Sequence, residues 1–407
     1  MKKTILTLAV ALLGVVSMAQ PPQSGGQNPN NGQGRPPHAG NDSLRPIENL
    51  FGPLTKRIQI HGYAQAGYEW NNKMETQTNT FNMKRTGLVV FAKITDRWDF
   101  FMFYDCMTEI QDFYADFRIT NNKALNLRFG QMKNSIGLEN PYSPAVLELI
   151  DVTSQSTTYL GGTVDPLFAD KLMYGRDLGM KFFGELFDSH FKYEIGLWNG
   201  QGVNINDKNN KKDFQVKLEY APMPNLRFVT SGQKGWGVAS DYCWLSPDAP
   251  FISPYNTKIA AGEEYQRDRW TFGTEFKSFV TRPASDWRKR PYSFRGEVMG
   301  GKDGDVESFG GYALATIPLF STVDAVACYD FMNYNTSEDL KSTKYIIGLQ
   351  YWFFRQCRLQ LQYTRTVLDN MTVGEPIIVP NPQGPPTIIQ NYQPDFDMIQ
   401  LQLQIAF

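Results

Sequence analysis

The feature that most constrains this chain is a strict alternation of apolar and polar side chains that recurs over segments of roughly ten residues. It is plainest in Met-Ile-Gln-Leu-Gln-Leu-Gln-Ile-Ala-Phe, residues 398–407. A β-strand turns successive side chains to opposite faces, so Ile399, Leu401, Leu403, Ile405 and Phe407 share one face and Gln400, Gln402 and Gln404 the other. The same rhythm sets Ile58, Ile60, Ala64, Ala66 and Tyr68 against Gln59, His61, Tyr63 and Gln65. It recurs with Phe214, Val216, Leu218 and Tyr220 against Gln215, Lys217 and Glu219, and with Leu359, Leu361 and Tyr363 against Arg358, Gln360 and Gln362. One such segment suits either of two folds. In a sandwich its apolar face meets a second sheet, and in a membrane barrel it meets lipid while the polar face looks into a wet interior.

The connections separate the two. Thr95-Asp96, Asn121-Asn122, Asp188-Ser189, Pro222-Met223-Pro224-Asn225 and the vicinity of Arg355-Gln356 read as short turns. They alternate with connections near 71–80, 107–112, 133–173, 199–211, 235–265, 303–305, 335–340 and 370–392, most of them longer. The strands so delimited lie near 57–70, 82–94, 97–106, 113–121, 124–132, 174–187, 190–198 and 212–221 in the first half. The second half adds 225–234, 266–280, 290–302, 306–317, 322–334, 341–354, 357–369 and 394–407, sixteen in all. The expected fold is therefore all-β: a transmembrane antiparallel up-and-down barrel of about sixteen strands. Short turns are expected on the periplasmic rim and long loops outside, with the last strand closing on the strand from Arg57 to Trp70.

Composition agrees. No apolar run after the first residues approaches the ~18 residues of a membrane helix, which leaves strands as the only way across. Met-Lys-Lys-Thr, the apolar run Ile5 to Met18 and the small residues at Ser17-Met18-Ala19 read as a secretory leader, 1–19, cut after Ala19. Residues 20–56 are dominated by Pro, Gly, Asn and Gln and read as a flexible periplasmic lead-in, followed by the barrel at 57–407. The formal net charge of −1 gives no reason to expect nucleic acid as a partner. Cys106, Cys243, Cys328 and Cys357 are far apart in sequence and assign neither a metal site nor a disulfide, and no motif calls for a cofactor. Trp98, Tyr104, Tyr220, Trp270, Tyr292, Tyr351 and Tyr363 fall near expected strand ends, where amphipathic rings sit at lipid headgroups.

The inward parity carries opposite charges two residues apart: Asp116 and Arg118, Lys192 and Glu194, Lys217 and Glu219, Glu275 and Lys277, Arg295 and Glu297. Facing acyl chains, each charge would cost ~2–4 kcal/mol near the bilayer midplane, so these side chains are expected to face pore water. Arg128, Lys181, Arg227 and Arg269 share that parity. The connection from Lys133 to Met173 is too long for an idle loop. Its Asn140-Pro141-Tyr142-Ser143-Pro144, a helix-like apolar stretch Ala145 to Ile150, and Gly161-Gly162 point to a segment folded back into the barrel as a constriction. Lys133 and Lys171 are outnumbered there by Glu139, Glu148, Asp151, Asp165 and Asp170. The expected pore-lining set is Arg118, Arg128, Lys133, Lys181, Arg227, Arg269 and Arg295 with Glu139, Glu148 and Asp151.

Three stretches resemble the phosphate-selective porin O and P family: Leu127 to Lys133, Tyr174-Gly175-Arg176-Asp177-Leu178-Gly179-Met180, and Ile195 to Gly202 with Asn206 to Asp213. The terminal Phe407 is similar to the signal read by the outer-membrane assembly machinery. The resemblance implies a sixteen-stranded homotrimeric porin in the outer membrane of a Gram-negative-type bacterium. It would pass small ions or hydrophilic solutes, phosphate or other anions among them. Phosphate-specific members guide anions along pore-facing arginines and a ring of lysines; here most inward arginines stand beside a carboxylate. Two other functions compete. A plugged or adhesive barrel would bind external ligands through loops such as 235–265, with Trp236, Tyr242, Trp244, Phe251 and Tyr255. A barrel hydrolase would need a base, but His38 lies in the lead-in, and neither His61 nor His190 has an obvious Ser or Asp partner near the extracellular rim.

Overall fold

The computed structural model describes residues 57–73, 78–151, 153–162, 174–238, 262–279, 288–371, 377–379, 387–389 and 394–407. The leader, the lead-in, Asp165, Asp170, Lys171, Cys243 and most of the aromatic loop after Val238 lie outside the described residues. The first eight strands are β1 (Ile58–Asn71), β2 (Thr78–Lys93), β3 (Trp98–Asp105), β4 (Ile110–Arg118), β5 (Asn126–Lys133), β6 (Arg176–Leu186), β7 (Phe191–Trp198) and β8 (Asp213–Met223). They continue with β9 (Leu226–Val238), β10 (Glu264–Lys277), β11 (Ser293–Asp303), β12 (Val306–Phe320), β13 (Val323–Asn333), β14 (Lys341–Phe354) and β15 (Cys357–Asp369). A short hairpin, β16 (Ile377–Val379) with β17 (Thr387–Ile389), interrupts the connection to β18 (Phe396–Ala406).

Strands β1 to β15 and β18 form a closed barrel of chain neighbours, and β18 lies between β15 and β1. At the seam Ala64 faces Ile405, Gln65 faces Gln404 and Trp70 faces Ile399. Closure leaves no strand edge without a partner ladder, which a sheet in hydrocarbon requires. The parity expected from the sequence holds around the wall: Phe113, Phe129, Phe182, Phe272, Ile347, Leu361 and Leu401 are exposed on the outer face, while the alternate residues are covered. An apolar belt of this extent would not persist in water and matches a lipid-facing surface. Trp98, Tyr220, Tyr292 and Tyr351 are exposed near strand ends, whereas Trp270 and Tyr363 fall mid-strand.

The rims depart from a strict alternation of short and long in two places: 106–109, between β3 and β4, is shorter than 119–125, between β4 and β5, and the second lies at β11. β11 and β12 are joined by Gly304 and Asp305 alone, with Gly304 at φ 61°, a two-residue hairpin on the rim of the longer loops. The preceding connection, 278–292, is the longer of the two.

Candidate functional site

The described part of the long connection after β5, residues 134–151 and 153–162, lies inside the barrel. It runs along the inner wall of β8 to β15 and β18, and its backbone groups are taken by inward side chains of those strands. Leu138 N–H donates to Glu297 Oε1 at 2.7 Å, Gly137 N–H to Ser231 Oγ at 2.9 Å, and Ile150 N–H to Gln362 Oε1 at 3.0 Å. Gly137 adopts φ +80°, and a Cβ there would stand 3.0 Å from Glu297 Oε1, so the close approach to the wall favours glycine. Carbonyls are matched too. Glu148 O accepts from Gln360 Nε2 at 2.9 Å, Leu147 O from Arg358 at 2.6 Å, and Ala145 O from Gln404 Nε2 at 3.0 Å.

This changes the reading of two sequence features. The inward glutamines of β18 do not meet pore water: Gln400 and Gln402 are 1% exposed and Gln404 0%. Gln400 donates to Asp151, Gln402 to Gln360, and Gln404 to the loop. An irregular backbone brought into the interior needs donors and acceptors for its peptide groups, and a glutamine amide offers both. The stretch Ala145 to Ile150 is also not a helix. Its carbonyls are held by the wall in a series of turns, and the helix forms later, as α1 (Gln155–Leu160). Ser154 caps α1 by accepting from Thr157 N–H, and Tyr159 and Leu160 pack with Ile136, Met299 and Met332 in a buried apolar cluster.

Ion pairs complete the seat. Arg295 reaches Glu148 at 2.8 Å, Glu139 at 3.3 Å and Glu275 at 3.8 Å. Arg269 pairs with Asp303 at 2.8 Å and donates to Leu160 O at 3.2 Å. Arg227 joins Glu275 at 3.0 Å, Glu219 at 3.1 Å and the hydroxyl of Tyr142. Asp151 meets Lys84 at 3.5 Å. Of the charged set read from the sequence, Arg227, Arg269, Arg295, Glu139, Glu148 and Asp151 thus meet between loop and wall. Arg118 stands apart at the rim of β4, about half exposed, paired with Asp99 at 2.8 Å.

The remaining three residues, Arg128, Lys133 and Lys181, line a cavity of about 380 Å³ between the loop and the wall of β2 to β7. Lys133 pins the loop by donating to the carbonyls of Asn140 and Tyr142, each at 2.6 Å. Arg128 makes a two-pronged bond to Asp116 at 2.7 and 2.8 Å, and Lys181 pairs with Glu194 at 2.7 Å. Arg176, which the sequence reading did not select, pairs with Asp112 at 2.9 Å in the same cavity. Pro141, Ser143 and Pro144 of the loop form part of the lining, and Val89, Phe101, Phe103 and Tyr114 supply an aromatic wall. Two stacks organise that wall. Phe101 lies parallel to Tyr114 at 5.0 Å, and the Arg128 guanidinium sits 3.9 Å from the Tyr114 ring centre. Tyr63 stacks on Phe103 at 6.2 Å, with the Arg176 guanidinium 5.5 Å from Phe103. The signal was present in Asp99-Phe100-Phe101-Met102-Phe103, where both parities are apolar and the alternation fails.

A closed sixteen-stranded barrel with an apolar outer belt and a charged cavity beside an inserted loop defines an outer-membrane porin, a channel for small solutes. Residues 58–226 match the family described as phosphate-selective porin O and P. The fold is similar to that of an anion-selective porin from Comamonas acidovorans, with TM-score 0.55 and 11% identity, covering 86% of this chain and 99% of that one. It is also similar to OprB of Pseudomonas putida, with TM-score 0.57 and 9% identity over 88% and 96% of the two chains. OmpF of Salmonella typhi gives 0.53 and 9% over 86% and 97%. At such identities the likeness concerns the fold alone. No curated protein matches the chain.

Proposed function

We propose that the chain is exported with loss of residues 1–19 and carries 20–56 as a periplasmic lead-in before the barrel at 57–407. It works as a homotrimeric, non-enzymatic channel for passive diffusion of small hydrophilic solutes and ions. The path passes between Pro141–Pro144 of the inserted loop and the wall of β2 to β7. The observation that carries this reading is the cavity itself, which is bounded by Arg128, Lys133, Arg176 and Lys181 on strands and by prolines on the loop. Three of its four cations are matched by Asp116, Asp112 and Glu194, while Lys133 is matched by carbonyl oxygens. A wall so nearly balanced gives a modest anion preference rather than a phosphate trap. Planar-bilayer recording tests this. Steady single-channel conductance in potassium chloride, with a salt-gradient reversal potential short of ideal anion selectivity, is expected. Absence of conductance overturns the channel, and near-ideal anion selectivity with block by micromolar phosphate overturns the selectivity.

A further inference from the structure

The lumen cavity combines two chemistries that a path for inorganic ions alone does not need. One side is apolar and aromatic: Val89, Phe101, Phe103 and Tyr114 face a space also lined by Pro141 and Pro144. An inorganic anion gains nothing from such a surface and loses hydration beside it. The other side is cationic, and its charge is incompletely cancelled. Arg128, Arg176 and Lys181 each have a carboxylate partner. Lys133 spends two of its three N–H donors on the carbonyls of Asn140 and Tyr142, and among the described residues no carboxylate lies within ion-pair distance of it. The volume, about 380 Å³, lies within the ~300–1,000 Å³ typical of small-molecule sites.

We propose that this cavity is a binding station for planar organic anions, an aromatic carboxylate being the simplest representative. The inference rests on the channel reading and names its solute. The ring lies against the Phe101–Tyr114 and Phe103 surfaces and displaces water from them, while the carboxylate takes the third donor of Lys133 and the outer donors of Arg176. Arginines already stacked on rings at 3.9 and 5.5 Å hold their guanidinium planes in fixed orientations, so a flat solute meets surfaces that need little reordering. A solute lacking either half uses only half of the wall. Acetate has no ring, and phosphate has neither ring nor apolar face.

The test uses the purified full-length barrel in two measurements. In planar bilayers, benzoate added to potassium chloride is expected to block the current at a concentration at least about 5-fold below that for acetate or phosphate, the difference that one ring contact supplies. In detergent, calorimetry is expected to show benzoate binding that acetate does not displace. Phe101→Ala should raise the benzoate half-block concentration roughly 5-fold relative to the acetate value measured in the same variant. Equal block by all three anions, stronger block by phosphate than by benzoate, or an unchanged benzoate value in F101A would overturn the proposal. If F101A fails to assemble, Val89→Ser on the neighbouring strand reads the same apolar wall. A barrel that carries no current yet binds benzoate in detergent refutes the channel and keeps the station. One that conducts but binds no benzoate refutes the station alone.

Discussion

Arg295 is ion-paired with two carboxylates of the inserted loop, and Arg295→Met isolates that contact. The guanidinium lies among Glu148 at 2.8 Å, Glu139 at 3.3 Å and Glu275 at 3.8 Å. Its side chain and those of Glu139 and Glu275 are almost fully covered. Methionine keeps much of the volume and removes the charge, leaving three carboxylates with one fewer cation among them. Breaking a buried ion pair by deleting one partner costs ~3–5 kcal/mol, because the other charge stays desolvated. At 1.4 kcal/mol per factor of ten, this raises the population of the unseated loop roughly a hundred- to four-thousand-fold. The barrel wall itself should persist, since the backbone of Arg295 remains paired with Glu275 and Leu314. Hydrogen exchange read by mass spectrometry should show protection lost at Leu138 and Ile150, whose N–H groups bond Glu297 and Gln362, with protection kept in β11. Bilayer currents should become larger and noisier. Arg295→Met with Glu148→Gln should recover part of the protection, because one stranded charge is then gone. Unchanged exchange and unchanged current in the single variant would refute the view that this ion cluster seats the loop.

Lys133→Met removes two charged hydrogen bonds of 2.6 Å, each contributing ~1.5–3 kcal/mol, so conductance should rise and anion preference fall; unaltered currents would separate Lys133 from the path. Gly184→Ala should lower the thermal stability of the barrel by ~1–3 kcal/mol, since the new Cβ would lie 1.9 Å from the backbone oxygen of Ala124; an unchanged melting temperature would show that β6 and the turn before β5 can yield there. The hydrogen bond from Lys341 holds the Asp339 carboxyl below its usual range, so this loop contact is fully present above the ordinary carboxylate pKa of ~3.9 and is lost only as pH falls through the depressed value. A carbon-13 titration of the Asp339 carboxyl should give a midpoint below that of a model peptide, and a midpoint at or above it contradicts the assignment.

The wall was legible because each strand repeats one physical demand, oil outside and polarity inside, and sixteen repetitions leave little freedom. The polar face was legible as polar but not in its partners. Charges two apart on one strand read as pairs, yet Asp116 bonds Arg128, Glu194 bonds Lys181 and Lys192 bonds Glu219, all across adjacent strands. Opposite residues on neighbouring strands lie about 4.5–5.5 Å apart, closer than i and i+2 along one strand, so register decides the pairing, and a single strand's sequence does not state its register. Only Glu275 and Lys277, among the five pairs read from sequence, meet along their own strand, at 3.3 Å. The seat of the loop was hidden for a related reason. Gln404 and Arg358 carry no mark that distinguishes a side chain facing water from one receiving a loop over two hundred residues away. The aromatic lumen wall appeared only as a flaw in the alternation of β3, and a flaw does not say which face acquired the extra rings.

The seam between the first and last strands has a kinetic meaning. Gly62 and Phe407 exchange both backbone hydrogen bonds, at 3.1 and 2.9 Å, so the ring closes by joining β1 to the segment that follows β18. Until β18 is in place, β1 and β15 are both naked edges able to template a foreign strand. Contacts this distant in sequence are the slowest to form. The polypeptide must therefore be kept from its neighbours until β18 docks, and a chain lacking that strand would present two sticky margins instead of a slightly weaker cylinder.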